Sequence, residues 1–485
     1  MKKILFFLFA IVLLTENAMA NNLVFYERFN GDLSTYTLDQ SGGSASIAMI
    51  DYSYKLQLSN TNAANPVSAT KTFVEPSGKW ILEFDFKYNA GAIGVMELLD
   101  TNGNVVATID CGSTVNTISF STNTVGASTA TYTAGLYKQI ILVIDNNVGV
   151  KTIKAYFSEN DDTYGSLSQI GTTKGYSGVG IAKIRWRSGP GGTGIVLVDE
   201  VKVYTPDLFI IGDSITDGKV YWSTHPAFTN RLISTAFNYE NYSPSHKLSS
   251  LMGSSVWVAN RGFGGSKVAD VDAKIQMVVL DHNPVRISVT VGHNDIGVTA
   301  HTAMIASFNS IVSKIQATGI TGHNIIIGNV FSWSGANQTA LKIWNDWVRE
   351  RAINIGANFI DLNANMTDPL NPVNGNPAYL DTVLINDGVH LNETGNAAFA
   401  RSINDLLRAN IHVNDNIIKV AYPTNDERLF DAAFLGEYIQ ADGIIQADFI
   451  QTLYKDGILL PEWNTTLVVT QSGVFPINWD KIVFQ

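Results

Sequence analysis

The sequence predicts a multidomain protein: an all-β, jelly-roll-like sandwich, then a three-layer α/β domain with a mostly parallel sheet, then a small C-terminal extension. Three observations predict this order. Segments that alternate apolar and polar residues fill residues 23–205, strands alternate with amphipathic helices through residues 206–412, and residues 413–485 extend beyond the last of those helices. With 485 residues, the chain is long enough for two or more domains.

Residues 1–20 have the pattern of a secretory signal. Lys2 and Lys3 precede an apolar run over residues 4–14, and Ala18-Met19-Ala20 fits a small-x-small cleavage site. We therefore expect cleavage after Ala20 and a secreted or periplasmic protein. The apolar run is too short to cross a bilayer and no later stretch is long enough, so we expect no integral membrane segment.

The first domain is predicted from strands with a period of two. Residues 80–88 alternate strictly, which predicts one buried and one solvated face, and residues 139–145, 153–157 and 195–204 are further predicted strands. Two packed sheets are the simplest fold for such a set. The side chains predicted on the buried face are Trp80, Leu82, Phe84, Phe86 and Tyr88.

The pattern changes after residues 205–207. Helices are predicted at 304–318, 336–354 and 393–409, and the intervening strands at 324–330 and 358–363 complete a βαβ series, which is typical of a parallel sheet covered on both faces. In the extension, Leu429, Ala433, Gly436-Glu437 and residues 445–454 suggest one or two helices, and residues 467–469 suggest a strand. No chemical motif occurs there, and its role stays open.

A serine follows the apolar strand 208–211. In Gly212-Asp213-Ser214 the strand breaks into a turn, which would fix the backbone and expose a hydroxyl as a nucleophile. Taken alone, the triplet also fits an ordinary turn.

Three later polar blocks lie at or beyond the ends of predicted elements. They are residues 260–265 after a short strand at 256–259, residues 292–295 after the strand 286–291, and residues 387–390 before the last helix. In an open α/β sheet, loops at the carboxyl ends of the strands share one crevice, so we expect these blocks to converge near Ser214.

With these four blocks, residues 207–410 resemble the SGNH (GDSL-type) hydrolase superfamily. The resemblance implies that Ser214 is the nucleophile, His390 the general base and then acid, and Asp387 the carboxylate that holds the imidazole. It implies oxyanion donors from the backbone N–H of Ser214, the backbone N–H of Gly265, with Gly264 as the fallback, and the side-chain amide of Asn294.

The chemistry explains these residue types independently. A serine hydroxyl needs a neutral imidazole within hydrogen-bond reach, and the imidazole needs an acceptor to fix its tautomer. Three other histidines, His225, His282 and His293, are interpreted as structural or surface residues. The sequence has no metal-site or nucleotide-binding motif, so no metal or other cofactor is expected.

Net charge and cysteine content limit the classes of partner and the covalent links that the chain can have. The formal net charge of -11 disfavours nucleic acid and anionic membrane surfaces. The one cysteine, Cys111, cannot form an internal disulfide. The oligomeric state stays open.

The predicted function is a secreted serine esterase that removes carbohydrate esters, with O-acetyl groups of a polysaccharide or oligosaccharide as the expected substrate. The segments 25–29 and 198–204 loosely resemble those of laminin-G-like sandwiches appended to secreted carbohydrate enzymes, which would make the sandwich a carbohydrate-binding module. Trp222, Trp333 and Tyr379, predicted in loops near the crevice, could stack on sugars or simply be buried. Two alternatives remain: a lipase or thioesterase, and a glycan-binding protein with a degenerate hydrolase domain.

Overall fold

We describe a computed structural model of the chain. It describes residues 22–412 except 30, 51–52, 89–91, 113–115, 133–137, 148, 150, 159–166, 190, 219–242, 254–255, 334, 374–375 and 380–387, and short strands beyond residue 412. Asn21–Ala400 form one compact unit, which contains both the sandwich and the α/β region.

The N-terminal region is all-β, as predicted. Sixteen strands are described in it: β1 Leu23–Glu27, β2 Tyr36–Asp39, β3 Gly43–Ile50, β4 Ser53–Asn60, β5 Ser68–Thr72, β6 Lys79–Tyr88, β7 Gly94–Asp100, β8 Val105–Cys111, β9 Thr117–Thr122, β10 Ser128–Thr131, β11 Lys138–Asp145, β12 Thr152–Ser158, β13 Ser168–Gln169, β14 Lys174–Gly175, β15 Ile181–Ser188 and β16 Gly194–Tyr204.

These strands form two antiparallel sheets. The first runs β13-β12-β11-β6-β16-β4-β3, with β1 beside β16 and β14 beside β12, and the second runs β10-β9-β8-β7-β15-β5-β2. Side chains from both sheets meet in one apolar core, and the alternating residues of β6 from Trp80 to Tyr88 belong to it, as their period of two predicts.

The opposite face of β6 differs from the prediction of a solvated surface. Ile81 and Glu83 are buried there, although Asp85 and Lys87 are partly exposed. The reason is that the α/β region covers this part of the sheet: Ile81 lies in a second apolar cluster whose other members come mainly from the α/β region. The strand therefore has two buried faces over its first half.

The α/β region contains a five-stranded parallel sheet in the order β18-β17-β19-β20-β21. Its strands are β17 Leu208–Gly212, β18 Val258–Gly262, β19 Arg286–Thr290, β20 Ile325–Gly328 and β21 Asn358–Ile360. The described helices are α1 Ser214–Asp217, α2 Pro244–Met252, α3 Val268–Val278, α4 His301–Ala317, α5 Gln338–Asn354, α6 Leu362–Met366 and α7 Glu393–His412, and a hairpin is formed by β22 Thr367–Val373 and β23 Asn376–Tyr379.

Both faces of this sheet are buried. In β17, Phe209 and Ile211 lie in the second apolar cluster with residues of α3, α4 and α5, and Leu208 and Ile210 are equally buried on the other face. A central parallel strand covered on both sides gives a continuous apolar run, which is why this strand was recognisable in the sequence.

The same cluster includes the outer face of the sandwich. Ile81, Ile141, Val143, Tyr156 and Tyr204, all in β6, β11, β12 or β16, pack in it together with Phe209 and the helices of the α/β region. The two regions thus share one apolar core in addition to the sandwich's own core.

Beyond residue 412, the described residues form short antiparallel pairs. The strand predicted at 467–469 is present and pairs with Ile482–Phe484. Leu429, assigned to a helix by the sequence, lies in a strand, Glu427–Phe430, paired with Ile418–Ala421, while Ala433, Gly436 and Glu437 lie outside the described residues. Most of residues 445–454 lie outside the described residues. In the part of the chain that is described, no helix is long and apolar enough to cross a membrane.

Candidate active site

Ser214 is placed where β17, an inner strand of the parallel sheet, ends. β17 stops at Gly212, and Ser214 is the first residue of the one-turn helix α1. Gly212 pairs with Gly262 of β18 on one side and with Thr290 of β19 on the other, so the loops after these three strands start at the same level. The strand order reverses at β17, which is where open α/β sheets place their binding crevice.

His390 lies beside this serine. Its Nε2 is 2.9 Å from Ser214 Oγ, although 176 residues separate the two along the chain. Ser214 is largely buried and His390 is half-buried. The helix α7 begins three residues after the histidine. Asp387, expected to hold the imidazole, lies outside the described residues.

Asp213 holds the serine turn in place. One of its carboxylate oxygens caps α1 by accepting the N–H of Ile215 at 3.0 Å, and the other accepts the backbone N–H of His293 at 3.3 Å. The side chain is fully buried. Asp213 thus ties the loop after β17 to the loop after β19, a role that sequence reasoning missed although an aspartate before a helix start is a common capping signal.

Asn260 and Gly262 fit the end of β18 against α1. The Asn260 amide donates to the carbonyl oxygens of Thr216 at 2.9 Å and Asp217 at 3.2 Å, and its side-chain oxygen accepts the N–H of Gly262. A Cβ atom on Gly262 would lie 2.3 Å from the Asp217 nitrogen, so only glycine permits this approach. The prediction ended the strand at residue 259, but it continues through residue 262 because these residues pair with β17.

Gly264 and Gly265 lie in the exposed loop that follows. Gly265 has a φ of +75°, in the left-handed region, and nothing lies within 4 Å of where its Cβ would be. The open surroundings leave room for a substrate atom to approach its backbone N–H. Gly264 is also open, with Asp217 Oδ2 4.0 Å from its Cβ position.

Asn294 lies in the loop after β19 and is half-buried. Its amide nitrogen donates to the Ser266 carbonyl at 3.0 Å, which connects it to the loop that contains Gly265. An amide nitrogen carries two hydrogens, and the second makes no hydrogen bond with a described residue, so it is available to a developing negative charge.

Asp295 anchors the same loop. Its Oδ2 accepts the Val268 N–H at 2.8 Å, at the start of α3. Burial raises the pKa of Asp295, against the lowering effect of hydrogen bonds from Thr299 and Val268. This contact fixes the loop after β19 against the helix that follows the Gly265 loop.

Of the other three histidines, His293 and His282 are described, and both are buried against aromatic rings. His293 is buried, with its ring 4.5 Å from that of Phe331 and 5.0 Å from that of Trp333. His282 is also buried, and desolvation holds its pKa well below the usual range. His225 lies outside the described residues.

Trp333 is one of the three aromatic residues predicted near the crevice, and the structure describes its side chain. It is half-buried and contacts His293, the neighbour of Asn294. Tyr379 ends the strand β23 rather than lying in a loop, because residues 376–379 pair with β22. Trp222 lies outside the described residues. Among the side chains that the structure describes, no cluster of three or more His, Cys, Asp or Glu could hold a metal ion.

A hydroxyl in contact with an imidazole, beside a glycine loop and a free amide hydrogen, can support acyl transfer. Comparisons with known proteins agree with this chemistry: residues 210–398 match the model of the GDSL-like lipase/acylhydrolase family. No curated protein matches the chain.

Several solved structures are similar to part of the chain. An acetylxylan esterase from Geobacillus stearothermophilus is 22% identical, with 42% of this chain and 94% of that one covered and a TM-score of 0.31. A GDSL-like lipase from Bacteroides thetaiotaomicron is 16% identical, with 42% and 88% covered and a TM-score of 0.31. An α/β hydrolase enzyme from the Lake Arreo metagenome is 18% identical, with 42% and 94% covered and a TM-score of 0.31.

Proposed function

We propose that the chain is an ester-hydrolysing enzyme that works through an acyl-enzyme at Ser214, since residues 210–398 match the model of the GDSL-like lipase/acylhydrolase family. The observation that carries this proposal is the 2.9 Å contact between Ser214 Oγ and His390 Nε2 at the carboxyl end of β17. The neutral imidazole accepts the hydroxyl proton as Oγ attacks the ester carbonyl.

The attack places negative charge on the carbonyl oxygen. The backbone N–H groups of Ser214 and Gly265 and the second amide hydrogen of Asn294 are the proposed donors to this oxyanion. His390 then protonates the departing alcohol, and a water molecule activated by the same imidazole releases the acid. In this proposal Asp387 accepts a hydrogen bond from the other ring nitrogen and stabilises the imidazolium.

We propose an acetylated polysaccharide or oligosaccharide as the substrate and export of the enzyme to meet it. The sandwich ahead of the catalytic region, the signal-like residues 1–20 and the formal charge of -11 support this choice over nucleic acid or an anionic membrane surface. Trp333, half-buried at the edge of the site, offers a ring on which a sugar can stack.

A product screen tests the substrate class. Acetate release is measured across acetylated polysaccharides, with the same polymers after chemical deacetylation as blanks and the Ser214→Ala protein as the inactive control. Acetyl and octanoyl chromogenic esters are compared in parallel. We expect acetate release and a preference for the acetyl ester. A clear octanoyl preference without acetate release would contradict the proposal and favour a lipase.

Glycan binding is tested on the full chain. The Ser214→Ala protein should be retained on the insoluble polysaccharide that the active enzyme deacetylates. Trp333→Ala should raise KM on that polymer, and Trp347→Ala is the matched control, because Trp347 is also half-buried but packs against Phe308 and Trp344. An equal effect of both substitutions would remove Trp333 from the binding site.

A further inference from the structure

The strand that leads into the Gly265 loop lies at an edge of the parallel sheet. β18 pairs with β17 and is the last strand on that side among those the structure describes. An edge strand has ladder hydrogen bonds on one side and is less restrained than a central strand. Other contacts must therefore fix its position and that of the loop at residues 263–267.

Arg261, in β18, provides such contacts. It is 1% exposed. Its guanidinium donates to the carbonyl oxygens of Asn260 at 3.0 Å and Val278 at 3.3 Å. Asn260 lies before the loop, and Val278 ends the helix α3 that follows it. One side chain thus connects the elements on both sides of the loop that contains Gly265.

The charge that holds this guanidinium comes from the sandwich. Arg261 Nη2 donates to Glu83 Oε2 and to the Tyr204 hydroxyl, each at 3.1 Å. The Tyr204 hydroxyl donates to the same carboxylate at 3.0 Å, and Gln139 donates to its other oxygen at 2.8 Å. Glu83, Tyr204 and Gln139 all lie on strands of one sheet of the sandwich, and each is buried.

We propose that the sandwich positions a loop of the catalytic site. Glu83 and Tyr204 of the sandwich fix Arg261, and Arg261 positions the Gly265 loop for oxyanion binding. This inference rests on the proposed function and gives Arg261, Glu83 and Tyr204 the role of positioning residues. A displacement of the loop moves the Gly265 N–H from the oxyanion, so it lowers kcat and leaves binding of a small ester unchanged.

A pair of tyrosine variants tests the proposal with minimal disturbance of folding. Tyr204→Phe removes the hydroxyl that contacts Arg261. Tyr156→Phe is the matched control, because the Tyr156 hydroxyl also reaches the α/β region, where it contacts Asp281 at 3.1 Å, but it makes no described contact with β18. On a small soluble acetate ester, we expect Tyr204→Phe to lower kcat roughly 5-fold with KM unchanged, and Tyr156→Phe to change neither. Equal kcat values for both variants would overturn the proposal.

A pair of glutamate variants extends the test to the ion pair. Glu83→Gln should lower kcat about 10- to 100-fold, because the guanidinium loses its counter-charge and shifts. Glu97→Gln is its control: Glu97 is equally buried in the sandwich but pairs with Arg185 and Arg187 of the other sheet. A matching loss of kcat in both variants, at a temperature where both are folded, would show general destabilisation and contradict the proposal.

A double-mutant cycle separates positioning from mere stability. If Glu83 acts through Arg261, the Glu83→Gln and Arg261→Met changes together cost no more kcat than Arg261→Met alone. Additive losses would overturn the coupling. Wild-type turnover and its loss in Ser214→Ala are measured first, so a failure of the proposed esterase activity is recognised separately from a failure of this coupling.

Discussion

Ser214 Oγ and His390 Nε2 lie 2.9 Å apart across 176 residues of chain. β17 and α1 position the serine, and the segment before α7 positions the histidine. Two separate parts of the fold therefore bring a hydroxyl and an imidazole into contact, which is the arrangement that the proposed acyl transfer by Ser214 requires.

The first prediction concerns this pair. Ser214→Ala should abolish ester hydrolysis and labelling by a serine-directed phosphonate, and His390→Gln should reduce turnover to near background because the base is lost. Turnover and labelling are measured alongside thermal unfolding, which should remain cooperative in both variants. Retained turnover in Ser214→Ala would end the proposed mechanism.

The second prediction concerns the oxyanion. Asn294→Ala should lower kcat by roughly 10² to 10³ with little change in KM, the usual effect of deleting one donor. Asn337→Ala is a suitable control, since Asn337 caps α5 by accepting the Ala340 N–H at 3.1 Å and should affect stability alone. An effect confined to KM would place Asn294 in ground-state binding instead.

The position of the Ser214 turn could be predicted because it depends on a short local motif. A continuous apolar strand followed by Gly212-Asp213-Ser214 specifies both the element and the turn, and the block around Asn294 follows its strand in the same way. The supporting roles of Asp213 and Asn260 were missed. Their partners are backbone groups of neighbouring loops, and a sequence pattern does not specify which loops meet.

The outer face of β6 shows a second limit of prediction from the sequence. Glu83, Asp85 and Lys87 alternate with apolar residues, and this pattern predicts a solvated face. The structure buries Glu83 because Arg261, 178 residues away, contacts it. A pairing at such a distance leaves no signal in local periodicity, so the close association of the sandwich with the α/β region could not be predicted.

The third prediction is a pH dependence of stability. Burial pushes the pKa of Glu97 up, but the hydrogen bonds and charges of Arg187 and Arg185 outweigh it and hold the pKa below its ordinary value of 4.5. Such a carboxylate contributes stability that is present above the unfolded pKa and is lost as the pH falls through the folded pKa.

Glu97→Gln should therefore lower the free energy of unfolding by about 1–2 kcal/mol at neutral pH, because a buried carboxylate loses its pairing with two arginines whose partial exposure screens the interaction. The difference from wild type should shrink as the pH falls below 4.5. Urea unfolding at several pH values measures it. Asp346→Asn is the control: Asp346 forms an exposed pair with Lys342, worth at most about 0.5 kcal/mol. If the loss of unfolding free energy in Glu97→Gln did not change with pH, the lowered pKa attributed to Glu97 would be wrong.

The last prediction uses two neighbours in β11 that face different cores. Ile140 lies in the core between the two sheets of the sandwich, and Ile141 lies in the cluster shared with the α/β region. In the full chain, either isoleucine-to-alanine change should cost roughly 2–5 kcal/mol, since both side chains are fully buried. In a fragment of residues 22–205, Ile140→Ala should cost as much, whereas Ile141→Ala should cost less than about 0.5 kcal/mol, because its side chain is then exposed.

We expect the fragment to unfold cooperatively and to self-associate through the uncovered face, which contains Ile81, Val143 and Tyr156. Unfolding and sedimentation experiments on the fragment and the full chain measure both effects. If Ile141→Ala destabilised the fragment as much as Ile140→Ala, residues of the sandwich itself would bury Ile141. The shared core would then contribute little to joining the two regions.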